Sequence, residues 1–110
     1  MRLRWSLIAL ALIATAAQSK PYATAGERFA RRSCAGCHAL TLKGASPNPL
    51  APPFRTLSAK LPGRGLTSAL GQISAHGHRA MPPIYMTPAE RRAVAAYIRE
   101  VGERSRRSLI

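Results

Sequence analysis

The sequence predicts a small all-α domain, and three observations lead to that expectation. Two Thr-x-x-Glu capping boxes, Thr24-Ala-Gly-Glu27 and Thr87-Pro-Ala-Glu90, mark helix starts. No stretch alternates apolar and polar residues in the manner of a half-buried strand. The segments between the helices are rich in proline, which excludes regular structure where it clusters. At 110 residues the chain has room for one domain and none for a second.

Residues 1–19 are read as an export signal. Arg2 and Arg4 give a basic start, Trp5 to Ala17 is almost wholly apolar, and small residues follow. Two sites, after Ala14-Thr-Ala16 and after Ala17-Gln-Ser19, fit the small-x-small cleavage pattern, and the second serves as the boundary. The apolar run of thirteen residues falls short of the ~20 needed to span a bilayer as a helix. A periplasmic domain over residues 20–110, without stable membrane insertion, is therefore expected, with an uncleaved anchor as the alternative. Outside the cytoplasm a pair of thiols is oxidised or otherwise committed.

Within that domain, the Thr24 box is expected to open a helix that runs through Phe29 into Cys34. Gly44 to Pro53 and Ala80 to Pro83 read as extended loops. Leu66 to Ala75 is a weaker helix candidate, with Leu66, Leu70 and Ile73 on one side and Gly77 at its end. The Thr87 box opens the clearest helix, where Pro88 fills the first position and Val94, Tyr97, Ile98 and Val101 form one apolar stripe. Gly102 is the expected terminator. Three or four short helices with long loops bury little apolar surface, so a bound group or cross-link is expected to complete the core.

Without Arg2 and Arg4, the seventeen Lys and Arg fall to fifteen against four glutamates and no aspartate, a net charge of +11 for residues 20–110. Such a balance favours acidic partners. Nucleic acid is not expected as one of them, because an exported chain seldom meets it and the aromatic interleaving of single-strand binders is absent.

Both cysteines lie in Cys34-Ala-Gly-Cys37-His38. This C-x-x-C-H admits three chemistries. A redox dithiol belongs on a strand-bearing fold that the all-helical outline lacks. A zinc site needs a fourth ligand, such as His76 or His78, and adjacent Cys37 and His38 rarely reach one small ion together. Covalent haem attachment is the reading for which the motif is the specific signature. Cysteines three apart on a helical turn face one way and can each take a porphyrin vinyl group, while the following imidazole swings beneath the iron.

These residues resemble those of a small bacterial class I cytochrome c. The resemblance extends over nearly all of residues 20–110: Gly26 eight residues before Cys34, the C-A-G-C-H, Pro52-Pro-Phe54 after a loop, Ala80-Met-Pro-Pro83, and the helix ending A-A-Y-I-R-E. It implies a cytochrome c-like fold of three to four helices and proline-rich loops around one haem c, bound through Cys34 and Cys37, with His38 on the iron. The sixth ligand is sought among Met81, Met86, His76 and His78. The resemblance favours Met81, and Pro82 and Pro83 restrict the loop that holds it. Met86, just before the Thr87 cap, reads as core filler, and His76 and His78 read as solvent-facing. The family also orients its histidine with a proline carbonyl, here Pro52 or its neighbour Pro53. It crosses its first and last helices through a glycine and aromatics, here Gly26, Phe29 and Tyr97, with Ala30 where many members have an aromatic.

An iron held by His and Met on both faces has no open position for substrate. The resemblance therefore implies a monomeric one-electron carrier, not an enzyme, that meets acidic donor and acceptor proteins. Lys43, Arg55, Lys60 and Arg79 are the cations expected around the exposed haem edge. Two other readings stay open: a subunit of a larger oxidoreductase, and a five-coordinate gas-binding or peroxidase-like protein.

Overall fold

The computed structural model describes residues 19–109, with side chains from Ala23 onward. The segment read as an export signal lies outside them, apart from Ser19 at its boundary. Four helices follow one another: α1 (Ser19–Ser33), α2 (Phe54–Lys60), α3 (Arg64–His76) and α4 (Pro88–Arg107). Among the described residues there is no strand, and the single isolated bridge pairs His78 with Met81. No helix among them is long and apolar enough to cross a membrane.

α1 buries Ala23, Gly26, Phe29, Ala30 and then Cys34, a helical spacing that turns one face onto α4. The crossing is close because both surfaces are small. A Cβ at Gly26 would overlap the carbonyl oxygen of Ala93 and come 2.5 Å from its carbon. Ala30 and Ala95 are wholly buried in the same cluster. Ala30, where many members of the resembled family have an aromatic, leaves room for this close approach. Val94, Ile98 and Leu66 are the largest fully buried side chains, each stabilising by roughly 1.5–3 kcal/mol.

The capping box of α4 forms in full. Glu90 N–H donates to Thr87 Oγ1 at 3.1 Å, and Thr87 N–H donates to Glu90 Oε2 at 3.0 Å. Two expectations need correction. Thr24 does not cap a helix, since α1 already runs from Ser19 and Thr24 lies inside it. Gly102 does not end α4, which continues to Arg107. A Cβ there would meet the Ser58 hydroxyl and lie 3.4 Å from the Arg55 carbonyl oxygen, so the glycine admits α2 rather than stopping the helix. α2 itself is too short for its period to stand out. Pro53 supplies its extended N-cap, and Phe54 is its one fully buried residue.

Substituting Gly26 tests whether the α1–α4 crossing depends on backbone contact. Gly26→Ala is expected to lower folding stability by about 1–3 kcal/mol, seen as a lower urea midpoint at unchanged slope. Gly65→Ala, whose Cβ meets nothing within 4 Å, is expected to change it by less than about 0.5 kcal/mol.

Candidate functional site

The C-x-x-C-H continues α1 through one further turn. Cys34 N–H and Ala35 N–H both donate to the Ala30 carbonyl, at 2.8 and 3.0 Å, and the Cys34 carbonyl accepts from Cys37 and His38, at 3.2 and 2.9 Å. The helical winding thus extends to the histidine and holds both thiols on one turn. Cys34 is buried, Cys37 is exposed, and both are free. Burial alone pushes the Cys34 thiol up to about 11.

The proline-rich segment then folds back on this turn. Asn48 N–H donates to the Cys37 carbonyl at 3.1 Å, Phe54 N–H to the Ala39 carbonyl at 2.9 Å, and Ala39 N–H to Ser46 Oγ at 3.0 Å. That return places the Pro52 carbonyl 2.7 Å from His38 Nδ1. A carbonyl only accepts, so Nδ1 carries a proton, and in the neutral ring the lone pair is on Nε2. The bond is to Pro52; Pro53 instead accepts from Thr56 N–H and Oγ1, at 3.1 and 2.9 Å. Phe54 packs beside the imidazole, ring centres 5.6 Å apart, and Tyr97 meets Phe54 edge-on at 6.2 Å. Tyr97 Oη donates to the Leu40 carbonyl at 3.3 Å, tying α4 to the same loop.

These pieces enclose a cavity of about 450 Å³. Cys34, His38, Pro52 and Met81 all line it, as do Phe54, Leu57, Leu61, Leu66, Leu70 and Ile73. The structure therefore gathers four of the five predicted site residues on one apolar surface, with Cys37 on the adjoining turn. His76 ends α3 in solvent. Met86 is buried in the core, as its core-filler reading expects. His78 departs from expectation: although exposed, it also lines the cavity. Its place three residues before Met81, just past a helix-ending glycine, is the signal that could have placed it there.

The loop bearing Met81 is laced to the last turn of α3. Gly77 closes α3 with φ +70°, a conformation a side chain resists, and its N–H donates to the Ile73 carbonyl at 2.9 Å. A Cβ there would also lie 2.5 Å from the Met81 carbonyl oxygen and 2.9 Å from Pro83 N. Further along, Ile84 N–H donates to the same Ile73 carbonyl at 3.4 Å. Ser74 Oγ accepts from Met86 N–H at 2.8 Å and donates to the Met86 carbonyl at 3.3 Å. No sequence pattern singled out Ser74 for this role.

The residues fit a haem. The cavity walls are almost wholly apolar, as a porphyrin face requires. One thiol, Cys34, lines it, the second, Cys37, lies on the adjoining turn, and the His38 imidazole is oriented by its Nδ1 bond with Nε2 left for a metal. Zinc lacks its ligands, since among the described residues no three His, Cys, Asp or Glu side chains form a metal-holding group.

The two thiols are expected to differ sharply in the haem-free chain. With Cys34 at about 11, only about a thousandth of it is thiolate at pH 8. Iodoacetamide at that pH should label Cys37 first, with Cys34 catching up as the pH approaches 11. Peptide mass spectrometry reads the order, and equal labelling at pH 8 would contradict the burial of Cys34.

Comparison with known proteins agrees with this geometry. The family model described as "Cytochrome C oxidase, cbb3-type, subunit III" matches residues 21–98, from the first turn of α1 through the C-x-x-C-H and the Met81 loop to the middle of α4. No curated protein and no solved structure matches the chain. A cytochrome c domain implies a covalently bound haem c, a role in electron transfer and redox partners to exchange with. The chain is a small c-type cytochrome, a member of the family described as cbb3-type cytochrome c oxidase subunit III.

Proposed function

We propose that this chain is an exported mono-haem cytochrome that carries single electrons between protein partners, and that His38 and Met81 would ligate its iron. The observation that supports it most is that His38, oriented by Pro52, and Met81, held by α3, line one apolar cavity. Cys34 and Cys37 would hold the haem by thioether links. When bound, the haem supplies the one-electron couple of its iron, and a methionine ligand raises its potential.

The remaining chemistry belongs to the chain. Pro52 keeps the His38 imidazole in one tautomer and one orientation, which limits the rearrangement that accompanies electron transfer. Leu57, Leu61, Leu66, Leu70 and Ile73 exclude water from the cavity. A ligand on each side leaves no position for a substrate, so the proposal is a carrier and not an enzyme.

Charge supports encounter with acidic proteins. No acidic residue lies between Glu27 and Glu90, while Lys43, Arg55, Lys60, Arg64 and Arg79 fall in that interval. Glu27 pairs with Arg31 at 2.7 Å, Glu100 with Arg104 at 2.6 Å and Glu103 with Arg107 at 4.0 Å, and Glu90 closes its capping box. The negative charge is thus spent within α1 and α4. The loops and short helices around the cavity carry cations alone, which suits steering of an acidic partner into a small, short-lived contact.

A second reading is favoured by the family match: the same domain as the cytochrome subunit of a terminal oxidase, its basic side seated on the other subunits. Purification as a stable complex would favour that reading, whereas a monomer at working concentration would favour the free carrier.

Two measurements test the proposal. In the haem-loaded chain, Met81→Ala is expected to abolish the sulfur-to-iron charge-transfer band and lower the potential, read by redox-monitored absorption. A surviving band would remove Met81 as ligand. Electron-transfer rates with an acidic partner are expected to fall severalfold between about 10 mM and 150 mM salt as the Debye length shortens from ~30 to ~8 Å. A flat response would remove electrostatic docking.

A further inference from the structure

His78 and Met81 face each other across a two-residue turn. His78 N–H donates to the Met81 carbonyl at 2.9 Å and Met81 N–H donates to the His78 carbonyl at 2.7 Å. Reciprocal bonds of this kind define an opposed antiparallel pair, whose two side chains leave the backbone on the same side. Both accordingly line the apolar cavity that His38 lines. One tight turn thus offers a thioether and an imidazole to the same space.

The turn is built to keep them together. Arg79, its first inner residue, has φ +49°, a left-handed conformation uncommon outside glycine. Gly77 holds the entry of the turn against the Met81 carbonyl oxygen. The His78 ring makes no hydrogen bond among the described residues, and no carboxylate lies between Glu27 and Glu90 in the chain to claim it. The other candidates are placed elsewhere: His76 ends α3 in solvent, and Met86 is buried with its backbone bound to Ser74.

We propose that His78 is a reserve sixth ligand, which takes the iron when Met81 does not. The inference rests on Met81 being the resident ligand. The exchange breaks an iron–sulfur bond and forms an iron–nitrogen bond through the lone pair of a neutral imidazole, with no electron or proton transferred. Imidazole is a good ligand for iron, and the softer thioether is the one that raises its potential. Loss of Met81, by substitution or by oxidation to the sulfoxide, therefore lowers the potential but leaves the iron closed to small molecules. The iron would not turn into the open, peroxidase-like centre that loss of a ligand otherwise creates.

The test uses the haem-loaded full chain in four forms: wild type, Met81→Ala, Met81→Ala/His78→Ala, and Met81→Ala/His76→Ala. Ferric spin state is read by electron paramagnetic resonance and absorption, and sixth-position access by imidazole titration. Met81→Ala and its His76 double variant are expected to lose the sulfur band yet stay low-spin. The His78 double variant is expected to become high-spin and to bind imidazole at least about tenfold more tightly, because His78 no longer competes for the position. Should His78→Ala impair haem loading, Met81→Ala/His78→Gln supplies the same comparison. The proposal is overturned if Met81→Ala is already high-spin with the imidazole affinity of the double variants, or if removing His76 rather than His78 opens the site. A sulfur band that survives in Met81→Ala removes instead the Met81 reading on which the proposal rests.

Discussion

The contact of Gly26 with the Ala93 carbonyl is the constraint from which the rest of the arrangement follows. Two helix backbones meet there with no side chain between them, so the middle of α1 and the first turns of α4 cannot shift independently. Cys34, Cys37 and His38 continue from α1, while Tyr97 and Ile98 rise from α4. The crossing therefore sets the distance between the attachment turn and the wall against which it works. Tyr97 carries that registration outward through its bond to the Leu40 carbonyl and its edge contact with Phe54. A larger residue at position 26 would displace every one of these groups together.

The two sides of the site are anchored by different means. His38 is held by the Pro52 carbonyl, which accepts from Nδ1 while the neighbouring Pro53 carbonyl is taken by Thr56. Met81 is held by α3, through the glycine that ends the helix and through hydrogen bonds from its last turn to Ile84 and Met86. α3 itself packs on α4 through Leu66 and Leu70. The methionine loop is thus anchored to α3, and the histidine to the turn that continues α1 and the loop that leads into α2.

Charge and shape are segregated in the same way. Helices α1 and α4 hold all four carboxylates and pair three of them along their own surfaces, contacts that are solvent-exposed and worth little to stability. Their larger effect is to leave the cavity side without a negative charge. Stability resides in the apolar crossing, and the electrostatic field is left to act on partners.

Much of the site was legible in the sequence because its chemistry is local. Cys34, Cys37 and His38 lie within five residues, and one helical turn is enough to give them a common direction. The Thr87 capping box is likewise self-contained, four residues that satisfy one another. By contrast, the Thr24 box matched the pattern and formed no cap, because the helix had begun earlier. Gly102 looked like a helix end, yet the approach of α2 is what requires it. Neither the choice of Pro52 over Pro53 nor the bonds of Ser74 to Met86 has a signature in spacing. Each depends on how a long loop returns to a distant element, and the residues of one short motif carry no record of that path. The sequence determined which groups could bind a haem; the tertiary structure decided which carbonyl orients the histidine and which side chains share its cavity.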